Sequence, residues 1–364
     1  QGEPGNLTFN FSQLDPILND ILATGAKPYI SLSYMPPAIS KGDIVDQPHQ
    51  WQDWQLTVQK TIEHISGDRG IDDVYYEVWN EPDLFGNWKT YGSKNYITLY
   101  SYAALGARQA RNVKNFYLGG PATTALYQNW FKALADHTLK NNLKFDFFSW
   151  HRYSHDLNQF EKDLNQVQAW INSYPQLAPT LEIHITEWGH DSEIHPGYDS
   201  DYGAAHTAAT ALSLANHSLD KAFVFEIQDG KDPNNQKFWG RWGLLTHQDF
   251  GSEVKPRYKA LEMLNQISSQ RLPISGQGSW VKALAAKNEL GQTEIIMANF
   301  DPDQRHSETV PVTFQNIEPG EYQLELEYLN GSKRTIPTAT SAAVLQTDVP
   351  MPINSVVFGR LIER

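Results

Sequence analysis

The chain has 364 residues, 40% of them hydrophobic, a formal net charge of −13 and no cysteine. That is enough apolar material for one large domain and a small one. It is too acidic to favour nucleic acid or an anionic membrane surface as a partner, and it has neither disulfides nor thiol catalysis. No apolar stretch approaches the roughly 18 residues that span a bilayer, so no membrane partner is expected.

The first predicted element is a helix opened by Asn10-Phe11-Ser12, carrying Leu14, Ile17, Leu18, Ile21 and Leu22 at helical spacing and ending near Gly25. Lys27 to Tyr34 reads as a strand, Trp51 to Ile65 as a helix and Val74 to Trp79 as a strand. A helix over Tyr96 to Arg111, a short strand over Phe116 to Gly120 and a helix over Trp130 to Lys140 follow. Phe145 to Trp150 is the next strand, ending at His151, and Asp156 to Ser173 the next helix. Leu181 to Thr186 is a strand, Tyr202 to Ala215 a helix, Lys221 to Ile227 a strand and Pro256 to Ser268 a helix. Strand–helix alternation of this kind implies right-handed βαβ units and a parallel sheet. From residue 269 to 364 the pattern becomes short alternating stretches, including Trp280 to Leu284, Glu294 to Ala298, Thr309 to Thr313, Tyr322 to Glu327 and Ser355 to Phe358. Turns such as Asn330-Gly331-Ser332 separate them, which predicts an antiparallel β-sandwich domain packed on the first.

Two glutamates carry the chemistry. Glu81 in Val78-Trp79-Asn80-Glu81-Pro82 and Glu187 in Ile185-Thr186-Glu187-Trp188-Gly189 each follow a strand-like run. A carboxylate at the C-terminal end of a parallel strand sits at the mouth where such folds react. Paired there, one as proton donor and one as nucleophile, the two have the equipment of a glycosidase. Eleven tryptophans and 17 tyrosines fit a sugar-binding protein, although core packing accounts for most of them. The acidic, histidine-containing stretch from His184 to His206 matches no tight ligand spacing, so neither a metal nor another cofactor is expected.

With these motifs the chain resembles the retaining (β/α)8 glycoside hydrolases that place an acid/base in a Trp-Asn-Glu-Pro motif after strand four, and family 39 among them. That family includes β-xylosidases, α-L-iduronidases and bacterial exopolysaccharide glycosidases. The likeness extends to Asn10 to Asp15, Gly25 to Pro36, Gly119-Gly120-Pro121-Ala122 and Trp242-Gly243-Leu244-Leu245. It implies a (β/α)8 TIM barrel over residues 1–268, an oligo- or polysaccharide substrate, Glu81 as general acid/base and Glu187 as nucleophile. Asn80 is placed to bind the sugar 2-hydroxyl. His151 and Tyr153, expected just past their strand, should reach the same mouth, where a residue from that loop orients the nucleophile in the similar enzymes. Glu226 at the end of the last strand, and Trp239 or Trp242 after it, are the remaining candidate sugar contacts.

The reading departs from that pattern in one respect. Six barrel strands can be counted and the first two are missing, so a lost upstream segment or a second chain is expected to complete the barrel. The chain begins at Gln1 rather than Met, which fits a removed leader and a secreted or periplasmic location, with a cytoplasmic one as the alternative. Two other functions remain open at this stage. One is a non-catalytic carbohydrate-binding protein derived from such an enzyme. The other is an iduronidase-like hydrolase of acidic glycans, for which Arg152 and Arg241 are the nearby cations.

Overall fold

The structure is a computed structural model and describes residues 1–364. A hairpin, β1 (Gly2–Glu3) and β2 (Asn6–Leu7), precedes helix α1 (Leu14–Ala23). Strand–helix alternation follows: β3 (Tyr29–Leu32), α2 (Trp51–Ile62), β4 (Val74–Val78), α3 (Tyr96–Gln109), β5 (Phe116–Thr123) and α4 (Gln128–Asn141). It continues through β6 (Phe147–Tyr153), α5 (Leu157–Asn172), β7 (Glu182–Gly189), α6 (Asp201–Leu214), β8 (Lys221–Val224) and α7 (Pro256–Leu264). The remaining strands are β9 (Gln270–Leu272), β10 (Val281–Lys287), β11 (Thr293–Asn299), β12 (Glu308–Gln315), β13 (Gly320–Tyr328), β14 (Lys333–Thr340), β15 (Val344–Met351) and β16 (Ser355–Glu363). The chain divides into two compact units: Gln1–Arg152, Asn165–Glu187 and Leu219–Phe223 form one, and Tyr153–Leu164, Trp188–Ser218 and Val224–Arg364 the other.

The first unit is built on a six-stranded sheet in the order β3-β4-β5-β6-β7-β8, with β3 to β6 paired in parallel. β4 is buried along its whole length, as a strand covered on both faces must be, and its sequence is accordingly apolar apart from Glu77. The sheet curls so far that Tyr29 of the first strand and Phe223 of the last approach within 4.8 Å between ring centroids. Their rings join Tyr75, Phe147 and His184 in an aromatic layer on the inner face. Gly119 makes room for it, because a Cβ there would lie 2.2 Å from the Phe147 carbonyl oxygen. Outside the sheet, α3 packs tightly on α2; a Cβ on Gly106 would meet the Gln55 carbonyl oxygen at 2.3 Å.

The second unit holds a six-stranded antiparallel sheet, β14-β13-β16-β11-β10-β9, and a two-stranded one, β12-β15. Alternation does the work. Tyr322, Leu324 and Leu326 of β13 and Leu345, Val349 and Met351 of β15 point into one shared apolar cluster. The opposite face of the larger sheet is covered by α6 and α7, where Ala204, Ala205, Ala208 and Leu212 meet Ile296, Ala298 and Phe358. Alanines allow that close approach, and α6 is buried on nearly every residue.

Three expectations change. His151 and Tyr153 lie within β6 rather than after it, because the strand runs on past Trp150. The last parallel strand stops at Val224, which leaves Glu226 in the following loop. Strands β14 and β15 escape the alternation pattern because β14, which contains Pro337, is largely exposed with threonines at inward positions, and the buried face of β15 includes the polar Thr347. β14 tolerates its proline as the edge strand of its sheet.

Candidate active site

Glu81 is presented by a turn under tension. Trp79 (φ 74°) and Glu81 (φ 44°) both occupy the left-handed region that non-glycine residues avoid, at a cost of roughly 1–3 kcal/mol each. Several bonds hold the turn. The Glu81 N–H donates to the Ala122 carbonyl at 2.9 Å, and Phe85 N–H donates back to the Glu81 carbonyl at 2.7 Å. The Trp79 indole N–H reaches the Phe85 carbonyl at 3.1 Å. Ala122 is available as acceptor because β5 has a bulge between Pro121 and Thr123, and its own N–H is bonded to the Ser149 hydroxyl at 3.1 Å.

His151 lies between the two glutamates. Its Nδ1 is 2.9 Å from Glu81 Oε1 and 3.4 Å from Glu187 Oε2, and the imidazole is 1% exposed. One ligand atom from each of Glu81, His151 and Glu187 falls within 4.8 Å of the others. A divalent cation would fit that spacing, but a carboxylate pair bridged by an imidazole is equally the arrangement that proton and glycosyl transfer require. Burial alone would lower the His151 pKa. The hydrogen bond to Glu81 and the charges of Glu187, Glu77 and Glu81 outweigh it and raise the pKa above the usual value. Beside the pair, the Asn80 side-chain amide donates to the Tyr34 hydroxyl at 3.2 Å. Burial, more than the nearby charges of Glu81 and Glu187, pushes the Tyr34 phenol up.

Four of the residues singled out from sequence, Asn80, Glu81, His151 and Glu187, are thus brought together in the first unit. Tyr153, Glu226, Trp239 and Trp242 belong to the second. There Tyr153 packs against Gly189, and the Glu226 backbone brackets the Trp242–Leu244 segment with bonds of 2.9 and 2.8 Å. Trp242 meets Phe225 edge-on at 6.0 Å, and Trp239 is 39% exposed over Gly230. Lys255 is buried between Asp229 (2.9 Å) and Asp199 (2.6 Å), and Arg241 pairs with Asp199 at 3.2 Å, so these cations already have partners.

Two residues near the pair were not anticipated. Tyr34 was read only as the end of its strand. Glu77, 4% exposed, was passed over within Val74 to Trp79, although a carboxylate in a strand buried on both faces was itself the signal.

Comparison with known proteins gives a consistent picture. The model of Glycosyl hydrolases family 39 matches residues 2–320. A β-xylosidase of Caldicellulosiruptor saccharolyticus is 27% identical over 350 residues, which cover 87% of this chain and 70% of that protein. A β-xylosidase of Geobacillus stearothermophilus is 27% identical over 349 residues, covering 85% of this chain and 66% of that protein. Among solved structures, a monomeric β-xylosidase from Caulobacter crescentus superposes with a TM-score of 0.76 at 20% identity, covering all of this chain and 86% of the other. At that identity the superposition speaks for the fold: a (β/α)8-like α/β architecture.

Proposed function

Because the chain belongs to glycosyl hydrolases family 39 and is an O-glycosyl hydrolase, we propose that it cleaves a β-linked glycoside by double displacement, with Glu187 as nucleophile and Glu81 as general acid/base. The observation that carries this reading is the spacing of the pair. One carboxylate oxygen of Glu81 and one of Glu187 lie within 4.8 Å of each other and of one imidazole nitrogen, a closeness that supports the retaining arrangement over the inverting one. Retaining enzymes set their carboxyl groups about 5–5.5 Å apart, inverting ones about 6.5–9.5 Å. The Glu187 carboxylate attacks the anomeric carbon as the glycosidic C–O bond breaks, and Glu81 gives its proton to the departing oxygen. Water then attacks the glycosyl-enzyme. Glu81 takes a proton from it, and Glu187 leaves as a carboxylate. Asn80 is the donor for the sugar 2-hydroxyl, a bond that strengthens in the transition state.

The matched β-xylosidases support a β-xyloside as substrate. Residues 269–364 form an accessory sandwich domain in this reading. Two additional strands complete the barrel, supplied by an upstream segment or a second chain. The free edges of β3 and β8 and the exposure of Ala222 and Phe223 support that addition. An oligo- or polysaccharide substrate favours a secreted or periplasmic location, which cell fractionation tests.

The deciding experiment is hydrolysis of aryl β-glycosides by the wild type and by Glu81→Gln and Glu187→Gln, with the product anomer followed by NMR. Activity lost in both variants and retention of configuration are expected. An inverted first product would sink the mechanism.

A further inference from the structure

Glu77 is a buried carboxylate that the reaction above does not use. Period-two alternation along β4 puts it on the same inner face as Tyr75, one level above the aromatic layer and beneath the catalytic pair. The titratable and polar groups around it come from four elements: Tyr29 of β3, Tyr96 of α3, Ser149 and His151 of β6, and Thr186 and Glu187 of β7. Among these only the His151 imidazole can carry a positive charge. The hydroxyls of Tyr29, Ser149 and Thr186 reach the Glu77 carboxylate, while its Oε1 is buried without a well-formed hydrogen bond.

His151 Nδ1 faces oxygens of both catalytic glutamates. While it carries a proton, it donates to Glu81 Oε1, and the acidic proton of Glu81 resides on the other oxygen, free to face a leaving group. Once Nδ1 is bare, the Glu81 O–H turns to donate to it, and the acid points away from substrate. The proton on His151 therefore sets the direction in which Glu81 acts.

We propose that Glu77 is a positioning residue: acting through His151, its carboxylate helps keep the Nδ1 proton in place and so keeps the acid of Glu81 turned toward the substrate. This deepens the glycosidase reading and rests on it. Burial pushes Glu77 up to about 7, against the opposing charge of His151 and the hydroxyls of Ser149 and Thr186. Below that pH Glu77 is neutral and adds no charge to the cluster. Above it, Glu77 ionises and adds a negative charge that favours the protonated imidazole. When Glu187 becomes an ester, its charge disappears from the cluster, and the charge on Glu77 remains to hold His151.

The test is an NMR titration of His151 in the full-length chain labelled with 15N at histidine, compared between wild type and Glu77→Gln and assigned with His151→Asn. The His151 midpoint is expected to fall by on the order of one pH unit in Glu77→Gln. With an aryl β-xyloside, the alkaline limb of kcat/KM should shift the same way, while the acid limb and KM stay. An unchanged midpoint overturns the proposal, and so does a lower kcat with an unshifted pH profile, which would mark a structural role only. If Glu77→Gln does not fold, Ser149→Ala makes the same test, because it removes a hydroxyl that favours the ionised carboxylate. A lower His151 midpoint supports the proposal there, and a constant one overturns it. Activity lost in Glu81→Gln and Glu187→Gln alongside a fixed midpoint sinks only the role of Glu77, whereas activity retained in both sinks the reading beneath it.

Discussion

His151 and His184 stand on neighbouring strands of one sheet, both almost completely buried, and their pKa values are pushed in opposite directions. His184 falls to about 3, first because burial penalises the cation and then because Lys221 opposes it. His151 suffers the same burial yet rises, because three carboxylates surround it. A carboxylate also lies close to His184: Glu182 Oε2 is 2.9 Å from its Nε2. That carboxylate is already shared with the Tyr75 hydroxyl, at 2.9 and 3.1 Å, and with Lys221 at 3.6 Å. Neutral His184 is complete as it stands, donating from Nε2 to Glu182 and accepting at Nδ1 from the Tyr29 hydroxyl at 3.1 Å. Burial takes a proton off an imidazole unless the negative charge beside it outweighs the cost of burying the cation. The lower histidine is thus part of the scaffold, and the upper one lies between the two candidate catalytic glutamates.

The contrast can be tested from its upper end downward. The largest effect is expected at the carboxylates His151 serves: Glu81→Gln should lower kcat by about 10²–10⁴-fold. The loss should be smaller on aryl glycosides whose leaving groups need no proton, a pattern steady-state kinetics on a leaving-group series would reveal. Next, His151→Asn removes a charge-assisted hydrogen bond while sparing both glutamates, and a fall in kcat of about 10–100-fold is expected. Equal rates in His151→Asn and wild type would put His151 in the same scaffold class as His184.

The scaffold histidines predict a pH dependence of stability. The folded pKa of His184 and of His206, both about 3, lies below the usual 6.5, so the unfolded chain takes up protons first as pH falls. Their contribution is complete above about pH 6.5 and is lost progressively toward pH 3, each by at most about 1.4 kcal/mol per pH unit. Urea midpoints at pH 7, 5 and 4 should decline in that order, and less steeply in His184→Gln. The smallest effect is expected from Tyr75→Phe, about 1 kcal/mol of stability. That change removes one partner of Glu182, and the NMR titration midpoint of His184 should rise. A midpoint that stays put would mean that burial alone sets it.

The sequence revealed the chemistry more readily than its surroundings. Glu81 and Glu187 could be read because each closes a β-branched and aromatic run, and strand ends of that kind are local patterns. Asn80 and His151 followed from position along the chain. Glu77 could not be assigned a role in the same way, since its partners Tyr29, Ser149 and Thr186 come from other strands and meet it only through the curl of the sheet. The six strands of the curled sheet were legible from strand–helix alternation, whereas β14 and β15 were not, because their inward positions include threonines such as Thr338, Thr340 and Thr347.

By itself the sequence determined the order of strands and helices, the two glutamates and the six-strand count, all properties of short segments and their spacing. Tertiary structure decided what alternation cannot encode. It brought one imidazole nitrogen between two carboxylates some 100 residues apart in the chain, and it grouped helix α6 with the antiparallel sheet, where its alanines pack. Above all it pushed the pKa values of His151 and His184 in opposite directions. Both are histidines in buried strands, and what separates them is the balance between burial and the charges the fold places beside each: three carboxylates at His151, a lysine at His184.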